Sequence, residues 1–334
     1  MMKAKLFGGF FLLSSLLICD SITIAATQLD SITIGYSSFS ADYVPLWMAV
    51  EDRLGKKYGL DLSAVYAGRI RPQQLLASGE TPFVLATATG AVTSHILGVK
   101  DQVIVLVLVN KVGGGIVSKP EIKSPEDLKG KVIGTGRPGA LAETIVRYVL
   151  RAKLGLQPDR DVKLLPVGEP QLALQGLERG IVDAASFSMP AILFAKRKGF
   201  RELVSYEKLG IVYPYNTVTT LRPTLGKSAE LVDRFLRVII EGISMFKANK
   251  ERSLAVMRKY LRGAGDDVLE ETYQHTANEL ESVPQPSLSV VKSALDMLSL
   301  QYPQAKQTDP NLIIDPSFVN KIDQSGFIRA LYKK

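Results

Sequence analysis

Lys131-Val-Ile-Gly-Thr-Gly-Arg-Pro-Gly-Ala-Leu-Ala-Glu143 is the stretch whose reading decides the fold. Val132 and Ile133 read as the end of a short buried strand. Gly134, Gly136 and Gly139 permit a tight turn with backbone angles other residues avoid. From Ala140 onward, Leu141, Ile145, Tyr148 and Val149 recur near helical spacing. A strand, a glycine-rich turn and a helix N-terminus bring backbone N–H groups to one point, which suits an anion or a polar head group. The same residues also describe a plain βα loop with no ligand, so the surrounding chain has to arbitrate.

Outward from this stretch the βα pattern repeats. Downstream, strands at 162–166 and 184–187 alternate with helices at 171–179 and 190–198. Just upstream, 124–130 reads as a compact helix with Ser124 as N-cap, Pro125 at its first position and Asp127 at its third. A first series precedes it, with strands at 31–36, 60–66, 83–86 and 103–109. Between those strands fall helices at 42–57, 72–78 and 91–97, the first with Trp47, Val50 and Leu54 on one face. The run Val-Ile-Val-Leu-Val-Leu-Val at 103–109 is far too short to cross a membrane and reads as a strand covered on both faces.

Strands alternating with helices predict an α/β fold with mainly parallel sheets. Gly113-Gly-Gly115 interrupts the alternation where a flexible crossover belongs, and the extended stretch 211–220 reads as the return crossing. Beyond it the chain is helical, at 228–249, 250–261, 268–280 and 287–300, with a closing segment at 311–332. With no third series of strands, these helices must dress an existing sheet. The predicted organisation is one lobe from 27–112 plus 222–334, and a second, inserted lobe from 113–221.

At 334 residues, 46% hydrophobic and 22% charged, the chain is globular in composition and long enough for about two cores. Its first residues differ in kind: Lys3 and Lys5 precede an apolar run at 6–18, followed by Thr23-Ile-Ala-Ala26. That pattern predicts a secretory signal peptide over 1–26, cleaved near Ala25 or Ala26. Cys19, the one cysteine, raises lipid anchoring as an alternative, although Ile18 is bulky where a small residue belongs before a lipidated cysteine. Cleavage would leave no thiol for a disulfide or a metal. The net charge of +8 is dispersed, with Lys196-Arg-Lys198 the densest run, so no nucleic-acid partner is expected. A monomer outside the cytoplasm, in the periplasm, is the expectation.

Open α/β sheets take ligands at the carboxyl ends of their strands. Four such loops are rich in Ser, Thr and Gly. They supply Ser37, Ser38 and Phe39 after the first strand, Thr87, Thr89 and Gly90 after the third, Thr135, Gly136, Arg137, Gly139 and Ala140 in the opening stretch, and Ser186 and Ser188 after the strand at 184–187. Tyr215 and Asn216 join them from the return crossing. These residues are the predicted lining of a ligand cleft between two lobes.

The ordered set of motifs resembles the ABC-transporter periplasmic solute-binding proteins of the nitrate/sulfonate/taurine type, a family that also includes pyrimidine-precursor-binding proteins. It is carried by Ile34-Gly-Tyr36 followed by Val44-Pro-Leu-Trp-Met-Ala49, by Tyr58-Gly-Leu-Asp61, by Ile122-Lys-Ser-Pro-Glu-Asp-Leu-Lys-Gly-Lys-Val-Ile-Gly134, and by Leu174-Gln-Gly-Leu-Glu-Arg-Gly-Ile-Val-Asp-Ala-Ala185 with Pro190. The resemblance spans nearly all of the chain after the leader. It implies a type II periplasmic-binding-protein fold and two lobes closing over a small organic or oxyanionic solute. It further implies delivery to an ABC permease in the inner membrane. Its contact positions fall on Ser37, Ser38, Phe39, 135–140 and 186–188, and it does not fix the ligand's chemistry.

Several residues keep two readings. Arg137 either pairs with an anionic ligand or is turned to solvent by Pro138. Glu143 fits the helix dipole without any ligand. Arg69 and Arg71 either rim the cleft or lie on the surface. Trp47 and Phe39 either stack on a ring-bearing ligand or pack in the core, and Tyr213 and Tyr215 either touch ligand or pack between lobes. Catalysis finds little support: His95 and His275 are the only histidines and stand far apart in sequence, no His-Glu metal spacing is read, and no Gly-x-Ser-x-Gly elbow occurs. The expectation is therefore a non-catalytic receptor with no cofactor and no metal. An exported enzyme or a sensory receptor on the same fold is the alternative.

Overall fold

Each of the two sheets in the computed structural model grows from one βα series. The structure describes residues 29–68 and 72–333, so the predicted signal peptide, Cys19, Arg69 and Arg71 lie outside the described residues. The strands are β1 (Asp30–Tyr36), β2 (Leu60–Tyr66), β3 (Phe83–Ala86), β4 (Gln102–Lys111), β5 (Gly115–Ser118), β6 (Val132–Thr135), β7 (Lys163–Pro166), β8 (Ala184–Phe187), β9 (Arg201–Ser205) and β10 (Val212–Leu221). The first sheet runs β2-β1-β3-β10-β4 and the second β7-β6-β8-β5-β9. In each, one strand opposes the rest: β10 is antiparallel to β3 and β4, and β5 is antiparallel to β8 and β9. The two-lobed α/β architecture read from the sequence is present.

The helices are α1 (Val44–Glu51), α2 (Pro72–Ala77), α3 (Thr89–Ile96), α4 (Leu141–Tyr148), α5 (Pro170–Glu178), α6 (Ala191–Arg197), α7 (Arg222–Lys227), α8 (Ala229–Ala248), α9 (Lys250–Tyr260), α10 (Asp266–Glu279), α11 (Leu288–Leu298), α12 (Ser317–Gln324) and α13 (Phe327–Leu331). As expected, the C-terminal helices add no sheet of their own. Val232, Phe235, Ile239 and Ile243 of α8 join the core of the first sheet, where Phe235 stacks on Phe83 with ring centroids 4.3 Å apart. Gly242 lets α8 lie directly on α1: a Cβ there would come within 2.6 Å of the Pro45 carbonyl oxygen. The seven apolar residues 103–109 of β4 are buried on both faces, as alternation-free strands require.

Three local readings change. The helix expected over 42–57 divides into a 3₁₀ turn Ala41–Tyr43, α1, and a second 3₁₀ turn Leu54–Tyr58, because Arg53 adopts a left-handed backbone (φ 50°) that no right-handed helix can include. The compact helix at 124–130 is a 3₁₀ turn, Pro125–Leu128, with the Ser124–Asp127 capping box intact. The stretch read as a return crossing is β10, a ten-residue strand that fills the gap between β3 and β4. β9 carries no clear alternation in Arg-Glu-Leu-Val-Ser and was not anticipated.

Candidate functional site

Carboxyl ends of strands from the two sheets meet where the loop after β1 faces the loop after β8. There the Ser40 Oγ comes within 3.3 Å of the Met189 carbonyl oxygen, bringing the first lobe against the second. Tyr66, at the end of β2, faces the carboxylate of Glu169, the residue before α5. Burial first, and then Glu169, push the Tyr66 hydroxyl up to about 12. Tyr215 of β10 and Ser188 line one cavity here. It is narrow, with about 20 Å³ of free space, and is lined by Ser40, Asp42, Ser188, Met189, Tyr215 and His275, with Glu279, Thr276, Gly113 and Val109 closing it.

Asp42 is the charged group at its base. It is 7% exposed because the 3₁₀ turn Ala41–Tyr43 turns its side chain inward beside β10. The Ser40 hydroxyl donates to one carboxylate oxygen, and the Asn216 amide donates to the other at 2.8 Å and to the Asp42 carbonyl at 3.0 Å. Burial raises its carboxyl to about 6, with the hydrogen bonds opposing and the Glu279 charge reinforcing the rise. The Asn216 Oδ1 is buried with no hydrogen-bond partner among the described residues.

His275 and Glu279, one helical turn apart on α10, face the same cavity. The imidazole Nε2 lies 3.2 Å from Glu279 and 3.6 Å from Glu207, which belongs to the turn between β9 and β10. Burial alone would lower the imidazole, but the hydrogen bond and charge of Glu279, with Glu207 and Asp42, outweigh it and raise it. This corrects the reading that no His-Glu metal spacing exists. The side-chain donor atoms of Glu207, His275 and Glu279 lie within 4.8 Å of one another, close enough to hold a metal ion, although their mutual ion pairs account for them equally well.

Of the residues read as cleft lining, Ser188 and Tyr215 border this cavity and Asn216 holds Asp42 in place. Others are engaged in joining elements. The Ser37 hydroxyl bonds Tyr43 OH at 2.7 Å, Ser186 bonds Tyr206 OH at 2.7 Å, and Thr89 bonds Tyr213 OH at 2.8 Å. Thr87 reaches only Thr89, at 3.4 Å. Gly90 packs so closely on Gln73 that a Cβ would lie 2.1 Å from it. Ser38 is half-buried, and Phe39 is 41% exposed against Tyr66, with ring centroids 4.5 Å apart. Trp47 is fully buried and stacks on Tyr260 at 4.5 Å, which settles its two readings in favour of the core.

The glycine turn of the opening stretch is largely self-satisfied. The Gly139 N–H donates to the Glu143 carboxylate at 2.7 Å, and the Ala140 N–H to the Arg137 carbonyl at 2.9 Å. The buried Thr135 hydroxyl turns to the Gly136 carbonyl at 3.2 Å. Arg137 is exposed and lies 3.7 Å from Glu169. Gly139 and Pro138 border a separate groove with Glu143, Arg147, Arg151 and Tyr302. Asp42, Glu279 and His275 escaped the sequence reading. An acid inside the apolar run Ala41–Tyr43-Val44 and a histidine and glutamate four apart on one helix were the signals available.

With this geometry in hand, residues 41–253 match the model of the NMT1/THI5-like family. The chain belongs to the NMT1/THI5-like family. No curated protein sequence matches it. Among solved structures, the alkanesulfonate-binding protein SsuA of Xanthomonas axonopodis pv. citri bound to MOPS superposes with a TM-score of 0.68 at 21% identity, over 85% of this chain and 96% of that one. The periplasmic nitrate-binding protein NrtA of Synechocystis PCC 6803 gives 0.72 at 15% identity, over 89% of each chain. The desulfurization enzyme DSZB gives 0.66 at 16% identity, over 89% and 99%. At these identities the likeness shows the fold, which is that of periplasmic binding proteins. Among the described residues of this family member, no helix is long and apolar enough to cross a membrane.

Proposed function

We propose that this NMT1/THI5-like protein is the extracytoplasmic solute-binding component of an ABC importer. It closes two lobes over a small organic ligand in the periplasm and presents the closed form to an inner-membrane permease as a monomer. The observation that carries this reading is the meeting of the two lobes across the cleft, where Ser40 meets Met189, Tyr66 faces Glu169, and Tyr215 and Ser188 line one cavity. These residues gather at the strand ends where open α/β sheets take their ligands. A solute touching both sides stabilises the closed arrangement over the open one by its differential affinity. The residues read as cleft lining, from Ser37 to Asn216, belong to this proposal, with Ser188, Tyr215 and Asn216 nearest its centre.

A binding role rather than catalysis is favoured by what the cavity holds. Its imidazole is tied to two carboxylates, and among the described residues no hydroxyl of the cavity is hydrogen-bonded to it. The test is a thermal-shift screen of sulfonates, nitrate, carboxylates, amines and pyrimidines, followed by small-angle scattering with each stabilising compound. Stabilisation with a smaller radius of gyration is expected. Chemical conversion of the stabilising compound would replace this reading with an enzymatic one.

A further inference from the structure

The charge inside the cavity says what kind of ligand it suits. Asp42 and Glu279 line it, and Glu207 stands within 3.6 Å of its imidazole, whereas His275 is the only basic side chain on its wall among the described residues. No described lysine or arginine borders it. His275 is already shared between Glu279 and Glu207, so Asp42 has hydrogen-bond donors but no cation in contact with it. The donors that reach Asp42 are the Ser40 hydroxyl and the Asn216 amide, both neutral, and the Oδ1 of Asn216 beside them is a buried acceptor with no partner among the described residues. Arg137, the one cation of the glycine turn, does not border this cavity and stands beside Glu169 instead.

We infer that the ligand carries a protonated nitrogen, an ammonium or amidinium head, and that Asp42 is its counter-ion at the base of the cleft. The inference rests on the solute-binding reading above and narrows it. The free space of about 20 Å³ admits one water-sized group, which is the size of an ammonium head. A buried carboxylate without a cation costs stability. An entering N–H donor recovers that loss through a charge-assisted bond, which makes the nitrogen head the part of the ligand that drives closure. A sulfonate or nitrate in the same place meets Asp42 and Glu279 as like charges.

The test compares ligands of matched shape and opposite charge on the intact protein at pH 7.5, by thermal shift and titration calorimetry. Propylammonium is set against propanesulfonate and benzamidinium against benzoate, with zinc and manganese chlorides as a further arm. The cations are expected to raise Tm and to bind at least about 30-fold more tightly than their anionic partners. Asp42→Asn, checked for native circular dichroism, is expected to remove that preference. The comparison on the unaltered protein stands whether or not the variant folds. Binding and closure by the anions alone would overturn the inference and leave the solute-binding reading intact. Unchanged cation affinity in Asp42→Asn, or stabilisation by the metal ions alone, would overturn it as well. Silence from every organic ligand, with no change in scattering, would remove both.

Discussion

Replacing Asp42 by Asn should stabilise the ligand-free protein at neutral pH and leave it unchanged in acid. The carboxyl titrates near 3.8 when unfolded and at about 6 when folded, because burial disfavours its charge. Between those values the folded chain holds a proton that the unfolded chain has released, so stability falls as pH rises from about 4 to 6 and is level above. The gap corresponds to about 3 kcal/mol at 1.36 kcal/mol per pH unit. Asparagine fits the same pocket. Its amide oxygen can accept from Asn216 Nδ2 and its NH₂ can donate to the Ser40 hydroxyl, which rotates freely. The hydrogen bonds to the charged form already count in the folded value, so the increase expected at pH 7.5 is the whole of that gap, about 3 kcal/mol. Urea unfolding of both proteins, followed through Trp47 fluorescence at half-unit steps from pH 4 to 8, measures it. His275 faces the same cavity and contributes to both curves, so the difference between them isolates residue 42. Parallel curves would refute the claim that Asp42 is ionised at a cost in the folded protein.

Other outcomes follow from the same geometry. Glu279→Gln should lower the His275 titration midpoint, read by imidazole NMR. Because that midpoint is raised in the folded chain, the stability it contributes is present below its unfolded value of 6.5, is lost as pH rises through the folded value, and should shrink in the variant. Gly114→Ala should destabilise by about 3 kcal/mol or more in urea unfolding. The position combines φ of +94° with a Cβ site 2.1 Å from the Phe187 carbonyl oxygen. Gly79→Ala, at φ +76° in open space, should cost only about 1 kcal/mol. Tyr66→Phe removes the hydroxyl that faces Glu169 across the cleft and should enlarge the radius of gyration in solution; an unchanged scattering curve would show that this contact does not hold the lobes.

Much of the fold was legible because strand–turn–helix periodicity is local. β2, β3 and β8 fall where apolar runs and flanking turn residues place them, and the Ser124–Asp127 capping box needs only four neighbouring residues. What escaped depends on partners distant in sequence. β9 is a half-exposed edge strand whose pairing with β5 defines it, and Arg53 breaks a helix that propensity alone would continue. The site divides along the same line. Hydroxyl-rich loops were found, yet the hydroxyls of Ser37, Thr89 and Ser186 pair with tyrosines from other elements. The charged centre required Asp42, Asn216, His275 and Glu207 to arrive from four places. Gly134, Gly136 and Gly139 did mark a βα turn, but Glu143 from within its own helix already takes the N–H that an anion would need.

The position of β10 has a consequence for assembly. β4 is an edge strand that meets its sheet only through β10, a strand more than a hundred residues later in the chain. The second sheet can finish pairing once Arg201–Ser205 exists, with all five of its strands already made. As the polypeptide leaves the ribosome, or emerges on the far side of a membrane, the Val-Ile-Val-Leu-Val-Leu-Val segment therefore waits without a neighbour while an entire lobe matures ahead of it. Such a segment is a ready template for aggregation. Pairing of β4 in the first sheet thus has to wait for β10, and that interval is where a chaperone has most to protect.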